Sequence, residues 1–144
     1  RNEQYRLFSQ DLMDRLREDH GFTNARAAQP QNWYSFASGI RGITYGVAFT
    51  REGLRAEVHV DVGSYEENKR IFDALRQHAD TIQEQFETPL RWDRLDDRRA
   101  SRIGSYSGTT IDSSEAELHQ ARDWAIRELL NLKQVFGPRL ERLT

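Results

Sequence analysis

The chain has 144 residues, the length of one domain, and its 21 basic and 23 acidic residues leave a net charge of −2, which argues against a basic nucleic-acid sleeve. A chain this long buries about two-thirds of its unfolded surface, so one core suffices without cross-links. Cysteine is absent, which excludes a disulfide framework, a thiolate metal site and a cysteine nucleophile.

No apolar run approaches the roughly 18 residues of a membrane span, and no signal-peptide core opens the chain. The first residue is Arg1, so residues 1–144 are expected to form a single α+β domain excised from a longer protein. Only Lys69 and Lys133 are lysines, so 19 of the 21 basic residues are arginine. Codon composition accounts for such a bias, and so does a need for planar, bidentate cations.

Tyr5, Phe8, Leu12 and Leu16 recur at three- and four-residue steps and predict a helix over 2–19, with Gly21 as its stop. Residues 23–31 are small and polar and make a connection. Trp33–Ala37 is a short aromatic strand, and Ser38–Gly42 is a turn. Ile43, Tyr45, Val47 and Phe49 then alternate with small or polar residues, as do Leu54, Ala56, Val58 and Val60 after Arg51-Glu52-Gly53. Both runs have period two, and the glycine between them marks a hairpin. With Gly53 counted in the loop, Phe49 should face Ala56, Val47 should face Val58, and Tyr45 should face Val60. On the opposite side, Ala48 should then meet Glu57 and Gly46 should meet His59.

Ser64 and Glu67 have capping-box spacing, and Phe72, Leu75, Ala79, Ile82 and Phe86 line the helix that follows, with Pro89 beyond it. Leu90–Leu95 and Arg102–Ser107 are further strands, and Gly108–Asp112 is a loop. Ser114 and Glu117 form a second capping box. The last helix carries Leu118, Ala121, Ala125, Leu129, Leu132 and Phe136, and Gly137-Pro138 should end it. The order α-β-β-β-α-β-(β)-α predicts a largely antiparallel sheet of four to five strands packed with three helices.

Three constellations carry chemistry. Glu57, His59 and Asp61 lie two apart on one strand, so they share a side; two carboxylates and an imidazole can hold a divalent metal or act as acid and base. The same pattern is what the solvated face of an antiparallel sheet displays, with Arg55 and Glu57 paired to neighbours. Between residues 91 and 102, Arg91, Arg94, Arg98, Arg99 and Arg102 interleave with Asp93, Asp96 and Asp97, beside Trp92. Arginines with an aromatic can grip phosphates and stack a base, with Trp92 or Trp33 as the platform; the alternative is an internally neutralised lattice of salt bridges. The turn Ser38–Gly42 can cradle an anion, yet it lacks the Lys and Ser/Thr of a P-loop.

No HExxH spacing and no G-x-S-x-G elbow occurs, and His20, His78 and His119 are isolated. In Glu57-Val58-His59 a histidine stands where a PD-(D/E)XK nuclease needs lysine. No motif requires a cofactor or a metal, and a cytoplasmic setting without a membrane partner is the expectation.

Asn32–Phe36 with Ser38–Ile40, Arg55–Asp61, Glu67–Leu75, Trp92–Asp96, Ser101–Ile103, Trp124 and Phe136 together resemble a bacterial family known as domain of unknown function 4268. The series runs in order over nearly the whole chain. Such domains commonly form the C-terminal part of bacterial proteins whose N-terminal part looks like a nuclease. The resemblance therefore implies a non-catalytic accessory module of a restriction or defence type of protein, assisting recognition of DNA or RNA. It supplies no catalytic residues. A protein–protein interaction or homo-oligomerisation domain is the second reading, and a small metal-dependent enzyme using Glu57, His59 and Asp61 is the third.

Overall fold

A computed structural model describes residues 1–144. Nine elements follow one another: α1 (Asn2–Glu18), β1 (Trp33–Ala37), β2 (Ile43–Thr50), β3 (Gly53–Val60), α2 (Tyr65–Arg76), α3 (Ala79–Gln83), β4 (Arg91–Asp93), β5 (Ser101–Tyr106) and α4 (Glu115–Leu143). The strands form one sheet in the order β1-β2-β3-β5-β4, every neighbouring pair antiparallel. The fold is α+β. No helix is long and apolar enough to cross a membrane.

The period-two pattern gives the sheet one apolar face. Phe36, Tyr45, Val47, Val58, Val60 and Ile103 point to it and meet Phe8, Leu12 and Leu16 of α1, Ile71 and Phe72 of α2, and Leu129, Leu132 and Phe136 of α4 in one core. All the helices thus stack on one side, and the other side of every strand is left to its own side chains.

The β2–β3 register differs by two residues from the expected one. Phe49 pairs with Leu54, Val47 with Ala56, Tyr45 with Val58 and Ile43 with Val60; opposite them Ala48 meets Arg55, Gly46 meets Glu57 and Thr44 meets His59. Gly53 is the cause. It pairs with Thr50 instead of sitting in the loop, and it is glycine because φ is +106° and the Gly108 backbone would lie 2.6 Å from any Cβ. An even shift preserves the faces, so the core is the expected one.

The helices depart from expectation in two places. The run 64–86 breaks at Gln77–His78 into α2 and α3, giving four helices, yet Ile82 and Phe86 still reach the core. The spacing Leu75, Ala79, Ile82, Phe86 stays in helical phase across the break and conceals it. The last helix does not stop at Gly137-Pro138 but continues to Leu143, with Leu140 fully buried. Burial of that leucine outweighs the hydrogen bond that the proline cannot donate.

Capping at Ser114 is reciprocal, whereas at Ser64 only the serine half forms. The Glu67 carboxylate instead accepts from Arg70 at 2.9 Å. β5 begins at Ser101, one residue early, and β4 is only three residues long.

Candidate functional site

Strand pairing aligns the residues of the uncovered face in three rows. Trp33, Ala48, Arg55 and Tyr106 form one; Ser35, Gly46, Glu57, Gly104 and Arg91 form the next; Ala37, Thr44, His59, Arg102 and Asp93 form the third. Their centre is hollow because Gly46 and Gly104 flank Glu57 on both neighbouring strands. Backbone carbonyls would lie within 2.8 Å of a Cβ at either glycine, so the strands approach too closely there for any side chain. The result is a trough of about 300 Å³ lined by Trp33, Ser35, Thr44, Gly46, Ala48, Arg55, Glu57, His59 and Arg102.

Electrostatics inside the trough are graded. Glu57 is 8% exposed and accepts from Arg55 Nε at 2.7 Å. Burial works against the Arg55 cation, but Glu57 and the Tyr106 hydroxyl outweigh it and hold its pKa above the ordinary value. Arg91 is tied to Glu52 and to the Tyr106 hydroxyl, each at 2.6 Å, with its guanidinium 4.2 Å from the Tyr106 ring centre. Arg102 is held loosely, at 3.3 and 3.4 Å from Asp93, longer than a strong charge-assisted bond. Trp33 stands at the rim, 53% exposed.

The structure separates the other residues singled out in the sequence. Asp61 lies past the end of β3 and does not join Glu57 and His59. Its carboxylate accepts from Arg99, Asn68 and the Gly63 amide, and these bonds, that of Arg99 foremost, lower its pKa to about 2. No group of three or more His, Asp or Glu side chains is placed to hold a metal ion. Trp92 faces the core, edge-on to Phe72 at 5.9 Å and tilted against Phe136 at 6.1 Å, and is partly buried there, away from the trough. Arg94 pairs with Asp73 at 2.9 Å and with Asp96. Arg98 is exposed and only its backbone amide is bonded, to the Leu95 carbonyl at 2.9 Å.

The loop that carries these arginines is built on two buried polar residues of α2. Lys69 is 3% exposed, and its ammonium donates to the carbonyls of Arg94, Leu95 and Ala100 and to Ser101 Oγ at 2.6 to 2.9 Å. Burial lowers its pKa, Arg94 adds to that, and Asp96, Asp97 and Asp61 oppose it. Asn68 donates to Asp61 and to the Arg99 carbonyl and accepts from the Val62 amide. Sequence reasoning missed both, although they stand four and three residues before Phe72, in phase with the apolar stripe. It also missed Tyr106, which shares the strand parity of Arg102.

A family model described as Domain of unknown function (DUF4268) matches residues 4–140 of the chain. No curated protein and no solved structure matches it.

Proposed function

The chain belongs to the family described as domain of unknown function DUF4268, and from its uncovered sheet face we propose that it binds single-stranded nucleic acid as a non-catalytic accessory module. The observation that carries this reading is Trp33, exposed at the rim of a trough whose opposite wall holds Arg102 and His59. A base stacks on the indole while its phosphate takes Arg102 from the loosely bound Asp93. The trough lies at the lower end of small-ligand pocket sizes, roughly 300 Å³ upward, so it accepts about one nucleotide of a strand.

A net charge of −2 favours such a local contact over a long duplex-binding surface. Arg55 is already neutralised by Glu57 and shapes the floor. With Glu57 held in that ion pair and Asp61 tied to Arg99, the triad has no shared centre, which supports a role in recognition. The module would serve a bacterial nuclease-like protein of restriction or defence type in the cytoplasm, where the nucleic acid is met.

The test is anisotropy of labelled single-stranded and duplex DNA and RNA at low and physiological salt. Trp33→Ala should weaken single-strand binding about tenfold, the worth of one stacked base. Arg102→Ala should reduce the salt slope by about one phosphate contact. Unchanged affinity in both variants would overturn the reading. Absence of binding together with a dimer in light scattering would favour self-association instead, for which the unpaired outer edge of β1 is suited.

A further inference from the structure

Trp124, Arg127, Glu128 and Asn131 fall at i, i+3, i+4 and i+7 on α4 and share one helical face. That face meets the turn after α3 and not the sheet. Trp124 Nε1 donates to Thr88 Oγ1 at 3.2 Å, and Asn131 Nδ2 donates to the Gln85 carbonyl at 2.6 Å. Around these two tethers lies a concavity of about 220 Å³, which Glu87, Arg127 and Glu128 also line.

Glu128 is the anomaly of the site. It is only 7% exposed, and its Oε2 is buried with no hydrogen-bond partner. A carboxylate oxygen in that state is costly unless a donor arrives. Burial raises the carboxyl above its ordinary pKa, opposed by the Thr88 hydroxyl and Arg127 and assisted by Glu87.

We propose that this concavity binds a guanidinium group, the side chain of an arginine presented by a partner polypeptide. The ligand supplies the N–H donors that Oε2 lacks, and its planar face stacks on the Trp124 indole. Its charge answers a lining of two carboxylates and one arginine. The volume falls below the roughly 300 Å³ at which drug-sized pockets begin, and it suits one side chain. An ammonium would satisfy the charge but would neither stack nor span the carboxylate in the same way.

The test follows the Trp124 indole N–H resonance, assigned with Trp124→Phe, while the capped peptide Gly-Arg-Gly, its Gly-Lys-Gly counterpart and agmatine are titrated in turn. A saturable shift with Gly-Arg-Gly is expected, weaker with Gly-Lys-Gly, and lowered in affinity about tenfold by Glu128→Gln. Glu128→Gln should also melt higher than the parent at pH 7, because a carboxyl with a raised folded pKa costs stability once ionised. A lower melting point would mark Glu128 as a structural acid and overturn the proposal. So would equal affinity in the variant or no movement of the Trp124 signal, and agmatine binding more tightly than Gly-Arg-Gly would overturn the polypeptide source.

Discussion

The arginine-rich segment divides into a strand half and a loop half, both mixing arginine with aspartate, that meet different fates. Arg91 and Arg102 are borne by β4 and β5 and stand on the uncovered sheet face. Arg94 and Arg99 lie in the loop between those strands and clamp Asp73 of α2 and Asp61 at the end of β3. Arg102 of the strand half borders the trough; the loop half fastens one edge of the sheet to a helix. Residue type alone does not separate arginines that stand on the open sheet face, Arg91 on Glu52 and Arg102 at 3.3 Å from Asp93, from arginines that clamp a neighbouring element. What decides is whether strand alternation or loop closure sets the direction of the side chain.

The loop half depends on one buried cation, and removing that cation gives the largest effect. Lys69→Met keeps the volume but strips the donor from three carbonyls and the Ser101 hydroxyl. An unsatisfied buried acceptor costs about 1–3 kcal/mol, and part of the loop can turn towards water, so a loss of about 3 kcal/mol is expected in urea unfolding. Proteolysis should at the same time cut between residues 94 and 100. A variant as stable as the parent would show that the Arg94 and Arg99 ion pairs hold the loop unaided, and the distinction between the two halves would shrink.

Much of this arrangement was legible in the sequence where a period was long enough to average over local chemistry. Eight-residue alternation in β2 and β3 identified the covered face, and Ser114 with Glu117 marked the start of α4. The register was not legible, because it turns on whether Gly53 belongs to the loop or the strand, and the approach of Gly108 decides that from across the fold. The end of α4 was not legible either, since Pro138 is a local stop signal and the burial of Leu140 is a tertiary fact.

For the candidate site, Glu57 and His59 were rightly placed on one face, while Asp61 continued the pattern on paper after the strand had ended at Val60. Trp92 has the parity of Ile103, its strand partner, and so faces inward; a three-residue strand is too short to show that parity by itself. Lys69 and Asn68 were visible only as polar residues in an apolar phase, a pattern whose meaning depends on acceptors 25 to 32 residues away.

The strand half depends instead on close approach of backbones. A Cβ on Gly104 would lie 2.6 Å from the Ala56 carbonyl oxygen and 3.2 Å from Glu57 Cβ, so β3 and β5 would have to spread. Gly104→Ala should therefore destabilise the chain by about 2 kcal/mol, in the range of overpacked sites. Because Arg102 and Tyr106 flank it, the variant should also weaken the nucleic-acid binding proposed for the trough, whereas Lys69→Met should leave the trough intact. Equal loss of binding in both variants would merge the two halves into one unit.

The smallest effect separates the halves by pH. Asp61 binds the loop through Arg99 and has its carboxyl depressed to about 2, below the roughly 3.9 of an unfolded chain. A depressed carboxyl contributes stability that is present above the unfolded value and is lost as pH falls through the folded one. Asp61→Asn should therefore lower stability at pH 7 by about 1 kcal/mol, a figure kept small because Arg99 is well exposed to solvent. Between pH 4 and pH 2 the gap between variant and parent should close. Chemical unfolding at pH 5 and at pH 2.5 makes the comparison, and a gap of constant size would mean that Asp61 acts through the hydrogen bonds of Asn68 and the Gly63 amide and not through its charge.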